Sequence, residues 1–220
     1  MYGQNRIYIP PIVKNLLVIN VLVFFAEMML PVAVRGWIAE NWSLHFWKSD
    51  SFHVWQLFTY MFMHANFTHL FFNMFALWMF GRILEYDMGS RRFLVYYLIC
   101  GIGAGLIQLG TYYIDYMSLL GDYSAVSVAR WAEAVSTVGA SGAVFGLLLA
   151  FGMIHPNNMI MLMFPPIAMK AKWFVVIYGA IELLLGLRGG GGVAHFAHLG
   201  GMLWGWLLIK YWRKRNEIYY

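Results

Sequence analysis

Charge is what this chain has least of. Only 11% of its 220 residues are Asp, Glu, Lys or Arg, against about 25% in an ordinary soluble domain, while 61% are hydrophobic. That imbalance excludes a water-soluble globule and leaves lipid as the solvent for most of the surface. Cysteine is nearly absent too. Cys100 stands alone in an apolar run, which rules out an internal disulfide framework. There is no HExxH, and with a single thiol a zinc-ligand set has little to draw on, so no metal and no cofactor are expected. The net charge of +5 does not signal a nucleic-acid partner, because the basic residues sit at the ends of apolar runs and do not cluster on a soluble face. Met1 to Arg6 show no cleavage pattern, so the first apolar segment is expected to be retained.

What is present is a series of apolar runs. Spanning about 30 Å of hydrocarbon takes about 20 mostly apolar residues in a helix. Six segments meet or approach that standard: 15–34, 54–84, 93–114, 135–154, 173–187 and 193–211. The second is over-long because its first third reads as interfacial loop. The fifth is short and is expected to recruit neighbours at either end. The stretch 159–169 contains Pro165-Pro166 and reads as an extended apolar connection at the membrane surface. The fold class predicted is an all-α membrane protein, a single six-helix domain over 1–220. Cytoplasmic flanks retain Lys and Arg. With the N-terminus inside, eleven basic residues lie inside and only Arg35, Lys48, Arg130 and Arg188 outside. Both termini are therefore expected in the cytoplasm. Of the outer loops, 35–55 carries four tryptophans and suits the headgroup layer, and 112–134 reads as solvated. The glycine tract 189–192 reads as a flexible cap.

Polar side chains at membrane depth are costly, and each is a functional candidate. They are Glu27, His64, His69, Asn73, Ser141, Glu182, His195 and His198. A lone buried serine ordinarily bonds back to its own helix. It becomes chemical only if another segment brings a base to its depth. Segments two, four and six all enter from the outside, and His69, Asn73, Ser141 and His198 fall within roughly 10–15 Å of that boundary at 1.5 Å per residue. His69 and Asn73, four apart, share a helix face. Gly142, Gly146 and Ala150 form a small-residue stripe beside Ser141, and Ala194, Gly201 and Gly205 form another beside His198. Such stripes let helices approach closely in lipid. Ser141 Oγ is thus expected within hydrogen-bond reach of a His198 ring nitrogen, the arrangement of an activated nucleophile. His195, without glycines at +3 and +7, is expected to be a polar residue near the surface. The alternative that these histidines ligate a metal is weaker, for want of a ligand motif.

Three motifs together resemble the rhomboid intramembrane serine proteases. Gly139-Ala140-Ser141-Gly142 is similar to their GxSG nucleophile motif. His64, His69 and Asn73 resemble their second-span signature, and Ala197-His198 with Gly201 and Gly205 resembles the last-span AHxxGxxxG. Gly81-Arg82, Glu85, Gly89 and Ser90 resemble the loop after span two. The resemblance covers about 13–212. It implies Ser141 as nucleophile and His198 as base in a dyad with no third acid. It also implies an oxyanion site from the Ser141 N–H with His69 and Asn73, and supporting roles for His64, Phe145, Gly139, Gly142 and Gly201. Phe145 stands where many relatives have tyrosine, and it is expected to stack on His198 or to serve as core, two roles that are compatible. By the same resemblance, single-span membrane proteins are cut near the outer ends of their helices, after a small residue and where the helix is unstable. Entry is between spans two and five. The short tails resemble prokaryotic members, which makes a bacterial cytoplasmic membrane the expected location. A rival reading is a catalytically silent relative that binds membrane proteins. Such relatives lack the serine or the histidine, and this chain has both.

Overall fold

The computed structural model describes residues 9–161, 166–188 and 194–215. The glycine tract 189–192 and Pro165 lie outside them. Among the described residues the chain is mostly helical: α1 (Pro11–Met29), α2 (Val32–Trp42), α3 (Gln56–Thr59), α4 (Phe67–Met88), α5 (Ser90–Asp122), α6 (Ala125–Ala134), α7 (Ser141–Ile154), α8 (Ala171–Arg188) and α9 (His195–Lys214). Two small antiparallel pairings complete it: β1 (Leu44–His45) with β2 (Ser136–Thr137), and β3 (Met159–Met161) with β4 (Ala168–Lys170). Among the described residues, α1, α4 and α5 are long and apolar enough to cross a membrane, and α7 is a shorter apolar helix.

The hydrophobic pattern is that of a protein dissolved in lipid. Large apolar side chains on α1, α4 and α8, such as Leu22, Phe72 and Val176, are 60% or more exposed. The centre is made of α5, α7 and α9, which pack against one another more than any other helices do. Small residues permit this. A Cβ on Gly201 would fall 1.9 Å from the Gly142 carbonyl oxygen, so only glycine lets α9 lie on the α7 backbone. Gly142 and Gly146 themselves face Ala104 and Cys100 of α5, which makes the stripe a three-helix junction. Buried hydroxyls are satisfied on carbonyls of this core: Tyr60 donates to Gly101 (2.6 Å) and Tyr96 to Gly146 (2.8 Å). Backbone groups at the start of α1 are met as well. Glu85 near the end of α4 accepts from the N–H groups of Ile12 and Val13 (3.0 and 2.8 Å), the unpaired first turn of α1, and from Ser90 Oγ.

Several sequence expectations need correction. Residues 54–66 are not wholly a surface loop: Val54, Trp55 and Phe58 are exposed, but the stretch then turns inward. Tyr60, Met61, Phe62 and Met63 are buried, because an apolar tetrad re-enters the bundle as a short 3₁₀ turn before α4 begins. The stretch 112–134 is not a solvated loop. Helix α5 continues to Asp122, about 50 Å in all, and α6 then folds back, burying Val128 and Ala132. Its cause is an aromatic cluster, with Tyr112, Tyr116 and Trp131 packed on Phe46. The tryptophan-rich segment likewise holds a helix, α2, none of whose residues is buried. It is pinned by Gln56, which donates to the carbonyls of Glu40 and Ser51 and accepts from the His45 N–H. Of the 159–169 connection, the described ends Met159–Met161 and Ala168–Lys170 are extended and pair antiparallel, while 162–165 lie outside the described residues.

Candidate active site

Three helices begin at one place. Gly139 adopts φ +127°, a conformation that glycine alone takes easily, and its N–H bonds to the Tyr60 carbonyl (2.8 Å). The chain turns there, so α7 starts at Ser141 itself and not six residues earlier. An apolar run containing glycine reads as continuous helix, which is why the sequence did not reveal the break. The first helical bond runs from the Val144 N–H to the Ala140 carbonyl (3.0 Å), leaving the N–H groups of Ser141, Gly142 and Ala143 ahead of it. His69 is the third residue of α4, whose first turn is capped by Asn66 Oδ1 accepting from the His69 N–H (2.9 Å). His198 is the fourth residue of α9.

The expected pair meets. His198 Nε2 lies 2.8 Å from Ser141 Oγ. Phe145, one turn along α7, stacks on the His198 ring with centroids 4.1 Å apart and planes 5° apart, and Tyr178 of α8 stacks on its other face at 5.2 Å. Phe145 is also buried, so it serves as core and as the stacking partner at once. A Cβ on Gly139 would sit 2.8 Å from His69 Nε2 and 3.7 Å from Ser141 Oγ, so His69 reaches the serine's surroundings only because residue 139 has no side chain. His69 Nδ1 accepts, at 3.4 Å, from the Ala65 N–H, which leaves the ring proton on Nε2 facing the cleft. His64 is buried edge-on to His69, centroids 5.1 Å apart. Asn73 lies one turn below, its amide donating to the His69 carbonyl (2.9 Å) and keeping a second N–H. Gly142 and Gly201 sit at the α7–α9 contact described above.

A carboxylate reaches the pair where none is expected: Glu182 Oε2 of α8 is 2.9 Å from His198 Nδ1. His195, expected as a polar residue near the surface, is half-buried, and its Nδ1 is 2.7 Å from the same oxygen. The sequence signal was Glu182 itself, a carboxylate inside an apolar helix, although nothing in its spacing named its partner. Glu182, His195 and His198 each also offer a metal-ligand atom, all within 4.8 Å of one another. Separations of 2.7 and 2.9 Å are those of N–H···O bonds, whereas ligands at about 2.0–2.1 Å around tetrahedral zinc stand roughly 3.3 Å apart. The arrangement fits hydrogen bonding better than a metal.

Comparison with known proteins agrees with the geometry. Residues 51–215 match the Rhomboid domain family model. The chain is 33% identical over 162 residues to Rhomboid protein 1, mitochondrial, of Saccharomyces cerevisiae, covering 71% of this chain and 42% of that one. It is 31% identical over 157 residues to Putative rhomboid protease YdcA of Bacillus subtilis, covering 70% and 65%. With Rhomboid protease AarA of Providencia stuartii it shares 31% over 162 residues, covering 67% and 52%. The chain thus spans between two fifths and two thirds of the length of these relatives. On a family match over most of its length, together with its apolar helical architecture, this chain belongs to the rhomboid family of multi-pass membrane proteins.

Proposed function

We propose that this protein is an intramembrane serine endopeptidase using Ser141 and His198. The carrying observation is the 2.8 Å contact between Ser141 Oγ and His198 Nε2 at the start of two helices. Ser141 Oγ attacks the scissile carbonyl carbon while His198 Nε2 takes the hydroxyl proton. The resulting oxyanion lies beside the free N–H of Ser141 and His69 Nε2–H, with the second Asn73 amide N–H in support. Donors of this kind are worth about 2.7–4 kcal/mol each. His198 then returns the proton to the leaving amine as the C–N bond breaks. Water, deprotonated by the same imidazole, releases the acyl chain and restores Ser141.

The substrates are single-span membrane proteins whose helix unwinds near the site, since a peptide bond in an intact helix is hidden, and a small residue precedes the cut. The whole chain, 1–220, acts as one domain with six spans, α1, α4, α5, α7, α8 and α9. The eleven-to-four split of basic residues supports cytoplasmic termini, with the site toward the outer face, and the membrane in this reading is a bacterial cytoplasmic membrane. Substrate enters laterally between α4 and α8. The test is reconstitution in liposomes with a single-span reporter. Wild type is expected to cleave, with Ser141→Ala and His198→Ala reduced at least about 10³-fold. Equal cleavage by Ser141→Ala sinks the reading, and a folded wild type that binds the reporter without cutting it favours the silent binding role.

A further inference from the structure

A Ser–His dyad has no use for the buried Glu182 beside it. Glu182 is 5% exposed in a helix otherwise surrounded by apolar residues, a costly placement unless something depends on it. We propose that Glu182 is a positioning residue that turns the dyad into a Ser141–His198–Glu182 relay, and that His195 is the clamp holding its carboxylate. The proposal rests on the protease reading above.

The carboxylate fixes the tautomer of His198. An ionised carboxylate only accepts hydrogen bonds, so the 2.9 Å contact puts the His198 ring proton on Nδ1. The lone pair then lies on Nε2, 2.8 Å from Ser141 Oγ, where it accepts the hydroxyl proton. The opposite tautomer would point an N–H at the serine and could not act as base. When His198 takes that proton it becomes an imidazolium, and Glu182 is the anion already facing it. His195 completes the geometry. Its Nδ1–H donates at 2.7 Å to the same Oε2, so two donors from one helix fix one oxygen of a side chain with three rotatable bonds. Helix α8 is shaped for this approach. Gly179 and Gly186, three residues before and four after Glu182, lie on its face toward α9. A Cβ on Gly186 would lie 3.1 Å from Phe196 and 3.3 Å from His195.

The test uses the full chain in liposomes for kinetics and in micelles, with ¹⁵N-labelled histidine, for tautomers. Glu182→Gln keeps the shape and removes the charge. It is expected to lower kcat by about 10²-fold or more while KM stays within about twofold and thermal stability is little changed. Glu182→Asp is expected to recover to within roughly tenfold of wild type, a rescue that a purely structural role does not require. His195→Ala is expected to cost about tenfold in kcat in the wild-type background and nothing further in Glu182→Gln, because its effect passes through the carboxylate. The nitrogen spectrum of wild type should show His198 protonated at Nδ1, with that preference lost in Glu182→Gln. Unchanged kcat in folded Glu182→Gln overturns the relay with the protease reading intact, and additive losses in the double variant overturn the clamp. If Ser141→Ala cleaves as well as wild type, the protease reading falls, yet the spectrum still decides on Glu182: an Nε2–H tautomer in wild type refutes its role. Should Glu182→Gln not fold, Glu182→Asp and the wild-type spectrum carry the decision.

Discussion

Two glutamates are buried in this apolar bundle, and they do different work. Glu85 is 2% exposed and Glu182 is 5% exposed, so desolvation weighs on both. Glu85 accepts from two backbone N–H groups of α1 and from Ser90. Glu182 accepts from two imidazoles. Backbone donors never change protonation state, so the Glu85 contact ties α1 to the α4–α5 corner and can do nothing else. An imidazole does change state, so under the relay proposed above the carboxylate on α8 is coupled to a proton transfer. A buried charge by itself therefore says only that something must satisfy it. What it is paired with decides between scaffold and mechanism.

The contrast can be broken experimentally. The largest effect is expected at the packing that brings the halves of the site together. Gly201→Val drives a side chain into the Gly142 carbonyl, separating α9 from α7, and cleavage should fall by about 10²-fold or more, with fluorophosphonate labelling of Ser141 falling in parallel. Full activity in that variant would mean the 2.8 Å contact does not depend on the glycines. Next comes the reciprocal of the Glu182 experiment. Glu85→Ala leaves two first-turn N–H groups of α1 without their acceptor, a loss of about 2 kcal/mol, read as a Tm lower by roughly 4–8 °C. The kcat of the folded fraction should not move. A kcat that drops with Tm held constant would erase the distinction between the two carboxylates. The smallest effect concerns the stack. Phe145→Leu removes a ring lying on His198 and is expected to cost up to about tenfold in kcat, while Phe145→Tyr stays within about threefold.

Much of this was legible beforehand, for identifiable reasons. Apolar runs at membrane length marked the long helices, and small residues at helical spacing beside Ser141 and His198 marked where two of them touch. The Ser141–His198 contact followed from those stripes. Glu182 did not, because sixteen residues of separation from His198 specify no face of α8 against α9. Helix α6 was hidden because its polar residues resembled a loop until Tyr112, Tyr116 and Trp131 found a common partner in Phe46. The true start of α7 was hidden in the backbone angle of Gly139.

That late start has a consequence for supply. Backbone N–H groups cannot be left bare in hydrocarbon, where each unsatisfied group costs several kcal/mol. The first-turn donors of α7, ahead of the Val144–Ala140 bond, therefore need a partner between turnovers. On the protease reading proposed above, water is the partner that fits, so the first turn of α7 would hold the second reactant beside the bond it attacks.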